Sequence, residues 1–157
     1  MKTVVLFESQ FGNTKKIAET VGMQLQSEGP VSVAPIGGFT AECLDGVDLL
    51  IVGGPTQAHG ITPAMRQFLS KLNGKSSKVQ TAAFDTRIKG PGFLWGSAAK
   101  EIESKLRVAG FDVIEPPESF LVTLAKEPLL QPGEERRAGS WATSIVSHVR
   151  KDLPVTV

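Results

Sequence analysis

The residues best suited to bind a ligand follow an apolar segment near the start of the sequence. Val4 to Phe7 is typical of a buried strand, and a helical pattern begins just after Thr14. At such a junction, the unpaired N–H groups of the first helical turn and the helix dipole favour an anion, above all a phosphate. The loop and helix start consist of Ser9, Gln10, Phe11, Gly12, Asn13 and Thr14.

The side chains of this loop also favour a phosphate. The hydroxyls of Ser9 and Thr14 can donate hydrogen bonds, and Lys15 and Lys16 oppose the helix dipole unless an anion lies close by. No lysine follows the glycine as in nucleoside-triphosphate loops, and no G-x-G-x-x-G occurs, which disfavours nucleoside triphosphates and dinucleotides. The alternative interpretation is an ordinary strand-to-helix turn with a good cap.

Strand and helix patterns alternate along the chain, which predicts an α/β sandwich with a parallel sheet. Apolar runs predict strands, because parallel strands are covered on both faces. The predicted strands are Thr3–Phe7, Val31–Ile36, Asp48–Val52, Val79–Phe84, and a fifth strand in two pieces, Phe111–Ile114 and Ser119–Thr123, interrupted by Pro116 and Pro117. Helical spacing of apolar residues predicts helices that include residues 17–25, 65–72, 98–109 and 138–149.

Length and composition predict one domain that spans residues 1–157. Seventeen basic and 16 acidic residues give a net charge of +1, which predicts neither nucleic-acid binding nor attachment to acidic membranes. Cys43 is the only cysteine, so no internal disulfide can form, and we expect its side chain to be buried. No apolar stretch has the length of a signal peptide or a membrane span, so we expect a cytoplasmic protein.

Two motifs resemble the flavodoxin family. ESQFGNT, residues 8–14, resembles the FMN phosphate loop, and GGPTQAHG, residues 53–60, is similar to the G-x-P-T turn of that family. The resemblance covers nearly the whole chain and implies FMN as the cofactor. It also implies a three-layer flavodoxin-like sandwich, with a five-stranded parallel sheet in the order 2-1-3-4-5 and helices on both faces. Phe11 departs from the electron-transfer flavodoxins and is similar to the flavodoxin-like quinone reductases.

The resemblance places two further loops beside the flavin ring. In the first loop, glycines permit close backbone approach to a flat ligand and a proline stiffens the turn. Two hypotheses remain for His59. Its ring either stacks on or donates a hydrogen bond to the flavin or the substrate, or it is a solvated loop residue. His148 belongs to the last predicted helix, so no metal site is indicated. The positions carried over from the family are Pro55, Thr56, Gln57 and Gly60.

The second of these loops begins with Asp85, Thr86 and Arg87 and ends at Trp95. Electron-transfer flavodoxins usually place a tyrosine here against the flavin, and this chain contains no tyrosine. Phe93 or Trp95 is a candidate replacement; the alternative for both is core packing, which is favoured for Trp95. Arg87 either faces the pyrimidine edge of the flavin and stabilises its anionic reduced form, or pairs with Asp85 and braces the loop.

Three functions follow from these patterns. The first is an FMN-binding redox protein that passes electrons to a partner protein or to a small acceptor such as a quinone, as a shuttle or as an FMN-dependent oxidoreductase. The second is a phospho-receiver, which is disfavoured because strand 3 ends in Val52, Gly53 and Gly54 rather than in an aspartate. The third is a flavodoxin-like interaction module without bound flavin, which Phe11 and the missing tyrosine favour mildly. The near-neutral charge disfavours a basic redox partner.

Overall fold

The computed structural model describes residues 1–90 and 95–152. Strands and helices alternate through these residues, as predicted, and no helix among them is both long enough and apolar enough to cross a membrane. The strands are β1 (Thr3–Phe7), β2 (Val31–Pro35), β3 (Leu49–Pro55), β4 (Gln80–Ile88), β5 (Asp112–Val113) and β6 (Glu118–Val122). The α-helices are α1 (Asn13–Leu25), α2 (Pro63–Ser70), α3 (Ala98–Val108) and α4 (Glu134–Asp152).

The sheet has the order β2-β1-β3-β4-β5 with parallel pairing throughout, which confirms the predicted order. β5 pairs with the first two residues of β4, and β6 pairs with the carboxyl half of β4 from Phe84 to Ile88. Two short segments therefore fill the fifth position of the sheet, as predicted. The interruption has a physical cause, because Pro116 and Pro117 have no N–H group with which to continue the ladder.

Helices cover both faces of the sheet, as predicted, and alternate strand residues contribute to two separate cores. Val4 and Leu6 of β1 pack on the face covered by α2 and α3. Val5 and Phe7 pack on the opposite face, against α1 and α4. This alternation follows from the two-residue period of a strand, and it holds the loops after β1, β3, β4 and β6 at one edge of a rigid sheet.

Three aromatic rings fix the carboxyl ends of the strands on the α1–α4 face. Phe84, Phe120 and Trp141 form edge-to-face pairs with centroids 5.8 to 6.0 Å apart. Phe84 lies opposite Gly53 in the sheet, and a Cβ atom at Gly53 would lie 2.0 Å from its ring. The first glycine of the predicted turn after β3 is therefore required by packing of the strand end.

Several features differ from the sequence-based expectations. β3 and β4 extend to Pro55 and Ile88, so residues 53–55 and 85–87, predicted as loop residues, belong to the ends of these strands. Cys43 is exposed rather than buried, because it lies in a short 3-10 segment, Ala41–Leu44, that has no buried residues. Helix α4 begins at Glu134, ahead of the apolar stripe that starts at Ala138. Its first turn is polar, since these residues bond to the neighbouring strand rather than pack in the core.

The first turn of α4 is bound to β6 through a buried carboxylate. Glu134 is 8% exposed and accepts hydrogen bonds from the backbone N–H of Leu121 at 2.7 Å and from Nε and Nη2 of Arg137 at 3.0 and 2.8 Å. Arg137 also reaches Glu118 at 2.8 Å and lies over the ring of Phe120. Burial raises the pKa of Glu134, but the bonds from Arg137 and Leu121 outweigh it, so that its pKa lies below the ordinary value.

We expect Glu134→Gln to lower the free energy of unfolding by about 1 to 3 kcal/mol at neutral pH, the scale of hydrogen bonds to charged groups. Because the pKa is lowered in the folded state, this stabilisation is present above the unfolded carboxyl pKa of about 4.3 and is lost as the pH falls through the folded value. Urea unfolding of wild type and Glu134→Gln from pH 7 to pH 3 measures both free energies of unfolding. The difference between the two free energies should become smaller at acid pH. Glu135→Gln, at the exposed neighbouring position, is the control.

Candidate functional site

The predicted phosphate loop has the geometry of an open anion-binding turn. Gly12 precedes α1 in the left-handed conformation, with a φ of 90°, which favours glycine. Its N–H donates to the hydroxyl of Ser9 at 3.0 Å. No side chain caps the first turn of α1, so the N–H groups of its first residues remain available to a ligand.

Two buried hydroxyls join the end of β4 to this turn. Thr14 and Thr86 are 2% and 5% exposed, and their hydroxyl oxygens lie 2.8 Å apart. One hydroxyl donates to the other, so the hydrogen of the accepting hydroxyl is free to donate elsewhere. Sequence reasoning assigned these residues to different loops, and the structure brings them into contact across 72 positions of the chain.

A cleft at the carboxyl edge of the sheet contains most of the predicted site residues. None of the described residues that line it is acidic, and Arg87 is the one with a formal charge. Gly12 lies at the turn below it, His59, Gly60 and Asp85 lie outside its lining, and Phe93 lies outside the described residues. The lining consists of Ser9, Gln10, Phe11, Asn13, Thr14, Pro55, Thr56, Gln57, Thr86, Arg87, Ile88, Val122 and Pro128.

His59 lies at the tip of a two-residue hairpin turn. Gln57 and Gly60 exchange backbone hydrogen bonds of 2.9 and 3.0 Å, and the two residues between them, Ala58 and His59, have φ values of 46° and 72°. Non-glycine residues adopt this left-handed region only at a cost in conformational energy. A Cβ atom at Gly96 would lie 1.8 Å from the carbonyl oxygen of His59, so the tip packs directly on the segment before α3.

Asp85 joins two loops from behind the cleft. Its carboxylate is buried, and Oδ2 accepts hydrogen bonds from the hydroxyls of Thr56 and Ser97 at 3.0 and 2.8 Å and from the N–H of Ala99 at 2.9 Å. The hydroxyl of Thr56 in turn accepts from the N–H of Ala98 at 2.9 Å. A negative charge at the first turn of α3 is favoured by the helix dipole. Asp85 therefore acts as a brace between the loops after β3 and β4.

Arg87 does not pair with Asp85, so the predicted loop-bracing ion pair is wrong. Asp85 is instead bonded to the loop after β3 and to α3. Nη1 of Arg87 donates to the carbonyl of Gly90 at 3.1 Å, and Nε is buried with no hydrogen-bond partner among the described residues. Trp95 is 48% exposed and its indole lies against Gly90, so the expectation that it packs in the core is also wrong.

Other positioning residues were not evident from the sequence. Glu101 on α3 accepts a hydrogen bond from the N–H of Ile61 at 3.0 Å and pairs with Arg66 at 3.3 Å, and a Cβ atom at Gly60 would lie 2.4 Å from its carboxylate. Glu8 accepts a bond of 2.6 Å from Thr62. No local motif marks either carboxylate, because both act on residues distant in sequence.

The wall formed by Val122 and Pro128 was also missed. After β6 the chain folds back on itself, with Thr123 donating to the carbonyl of Leu129 at 2.8 Å. The side-chain amide of Asn13 then donates to the carbonyl of Pro128 at 2.7 Å. Asn13 thus binds the returning segment to the phosphate loop and closes one side of the cleft.

The fold is similar to that of several solved flavodoxin structures. A flavodoxin from the domain Archaea superposes with a TM-score of 0.73 at 21% identity, covering 96% of this chain and 99% of that one. Oxidised Flavodoxin 2 from Bacillus cereus gives 0.77 at 19% identity, with 94% and 99% covered. Rubredoxin oxygen:oxidoreductase from Desulfovibrio gigas gives 0.74 at 19% identity over 96% of this chain, which corresponds to 36% of that larger protein.

Sequence comparison leads to the same family. A comparison with curated protein sequences finds no significant match. The family model described as a flavodoxin domain matches residues 4–89, more than half of the chain, and this region contains the phosphate loop and the turn after β3. The chain therefore belongs to the flavodoxin family, whose cofactor is FMN.

Proposed function

We propose that this protein binds FMN in the cleft at the carboxyl edge of the sheet and passes electrons to a partner protein or to a small acceptor such as a quinone. The observation that carries the proposal is the uncapped first turn of α1, which opens into the cleft beside the hydroxyls of Ser9, Thr14 and Thr86. Backbone N–H groups and hydroxyls in this arrangement suit the phosphate of FMN.

The charge of the cleft also fits FMN. A phosphate monoester carries a charge of about −1.5 to −2 at pH 7, and the described lining of the cleft contains no carboxylate that would repel it. Lys15 and Lys16 lie exposed in the first turn of α1, where they add a positive field at the mouth of the site. These charges favour FMN over an uncharged flavin such as riboflavin.

The other walls of the cleft suit a flat aromatic ring. Phe11, Pro55, Val122 and Pro128 present apolar surface, while Gln10 and Gln57 hydrogen-bond to each other at its rim. The flavin supplies the redox chemistry when bound, whereas these side chains orient it and exclude water from one side. Asp85 and Glu101 would hold the ring-side loops in place through the contacts described above.

The choice of acceptor rests on charge. A strongly basic redox partner requires an acidic surface around the flavin, and the described lining of the cleft contains no carboxylate. We therefore favour a small acceptor, or a partner protein that is not strongly basic. Phe11 is 51% exposed at the cleft, in a position where an apolar acceptor such as a quinone can contact it.

An FMN titration of the purified protein tests the function directly. We expect the flavin fluorescence to be quenched and its absorbance to shift on binding, followed by reoxidation of the reduced protein by a soluble quinone faster than that of free reduced FMN. NADPH added without a quinone shows whether a nicotinamide serves as reductant. A protein that leaves the flavin spectrum unchanged would instead be an interaction module without flavin, and slow reoxidation by quinones would point to a protein acceptor.

Removal of one phosphate-side hydroxyl should discriminate between two flavins. We expect Thr14→Ala to weaken FMN binding by about 1.5 to 3 kcal/mol, the scale of hydrogen bonds to charged groups, and to weaken riboflavin binding much less. Calorimetric titration with each flavin measures both effects. Thr20→Ala is the matched control, because this hydroxyl on the same helix bonds to the carbonyl of Lys16 and is exposed. Equal losses for the two flavins would contradict the phosphate assignment.

Inorganic phosphate should compete for the same turn. If the first turn of α1 binds the phosphate group, millimolar phosphate should raise the apparent Kd for FMN and leave that for riboflavin nearly unchanged. Fluorescence titrations at constant ionic strength, with chloride replacing phosphate, separate competition from general screening. The same response to phosphate and to chloride would count against an anion site at this turn.

A further inference from the structure

Arg87 is a cation that has no counter-charge among residues 1–90 and 95–152. It lines the cleft, and one hydrogen bond joins its guanidinium to the carbonyl of Gly90. Nε is buried without a partner, and Arg87 takes part in no ion pair among the described residues. Partial burial of an unpaired charge is unfavourable, so this arrangement points to an anionic ligand that completes it.

The nearby carboxylates are already bonded to other groups. Asp85 binds Thr56, Ser97 and the first turn of α3. Glu101 binds Ile61 and Arg66, and Glu8 binds Thr62. None of these described carboxylates bonds to Arg87, so its charge is directed to the cleft rather than used in the fold.

The hydrogen-bond partners of Thr86 and Arg87 belong to different loops around the cleft. Thr86 meets Thr14 of the phosphate loop through their hydroxyls. Arg87, the next residue of β4, lines the same cleft, but its Nη1 donates to the carbonyl of Gly90 in the loop after β4 rather than to a group of the phosphate loop. If FMN binds as proposed, the part of the ligand on this side is the flavin ring.

We propose that Arg87 compensates the negative charge that the flavin ring gains on reduction; this inference rests on the proposed FMN binding. FMN takes up two electrons and one proton to give the anion FMNH⁻, so the ring gains one net negative charge. A fixed cation beside the ring then binds the reduced cofactor more tightly than the oxidised one, and the midpoint potential is raised. Arg87 thereby sets the driving force available for any acceptor.

The test compares FMN-loaded wild type with three variants. Arg87→Gln removes the charge, Arg87→Lys keeps it, and Lys89→Gln removes one charge from an exposed residue of the same loop that does not line the cleft. Midpoint potentials are measured at pH 7 by equilibration with a reference dye, with dithionite as the electron donor. Kd values for oxidised FMN and riboflavin are measured on the same samples, together with thermal unfolding.

We expect Arg87→Gln to weaken binding of reduced FMN relative to oxidised FMN by about fivefold, which lowers the midpoint potential by about 20 mV at about 30 mV per tenfold for two electrons. Arg87→Lys should lower the midpoint potential much less than Arg87→Gln does, and Lys89→Gln should change the potential little. The affinity of each variant for oxidised FMN should differ from that of wild type by less than about twofold. If Arg87→Gln does not fold, the lysine variant must still keep the potential within a few millivolts of wild type.

Other results would overturn the inference. An unchanged potential in Arg87→Gln would mean that the guanidinium only braces the turn at Gly90. A loss of affinity for FMN but not for riboflavin, again with an unchanged potential, would place Arg87 on the phosphate. Failure of the wild-type protein to bind FMN would overturn the proposed function itself, and is seen in the titration before any potential is measured.

Discussion

The buried carboxylate of Asp85 is the interaction on which the ring side of the site depends. It lies in the carboxyl half of β4 and binds the loop after β3 through Thr56 and the start of α3 through Ser97 and Ala99. A buried charge with several donors is stable only while all of them remain in place, so the loops and the helix are coupled. The walls of the cleft on the side of β3 and α3 are thus held together by a buried polar connection.

This coupling explains how a strained turn persists beside the cleft. The left-handed pair Ala58 and His59 is held between Thr56 and Ile61, whose partners are Asp85 and Glu101. Gly96 permits the close contact with the turn from behind. Since Glu101 belongs to α3 and Gly96 to the segment before it, the loop after β3 is shaped in part by a helix residue that follows Ile61 by 40 positions in sequence. The backbone of the phosphate loop, in contrast, is one contiguous segment between β1 and α1.

That contrast also explains which features could be predicted from the sequence. Apolar periodicity predicts the strands and helices because each depends on neighbours within a few residues, and the phosphate loop is contiguous between Ser9 and Thr14. The bond between Asn13 and Pro128 spans 115 positions, and that between Glu101 and Ile61 spans 40, so no local pattern encodes them. The family resemblance supplies the order of the strands, which no periodicity contains. Cys43 and Trp95 were misplaced because residue type alone predicts burial only on average.

The position of the charges bears more on redox chemistry than their sum does. The chain has a net charge of +1, but charges on distant surfaces are screened over about 8 Å at physiological salt, whereas a partly buried guanidinium in the cleft is screened much less. Of the 17 basic residues, Arg87 is the one found among the described residues that line the cleft. A near-neutral protein can in this way present a positive site to its ligand. The charge around the flavin would then be opposite in sign to that in flavodoxins with acidic surroundings. The carboxyl half of β4 thus contains both Asp85, which braces the site, and Arg87, whose charge faces the cleft.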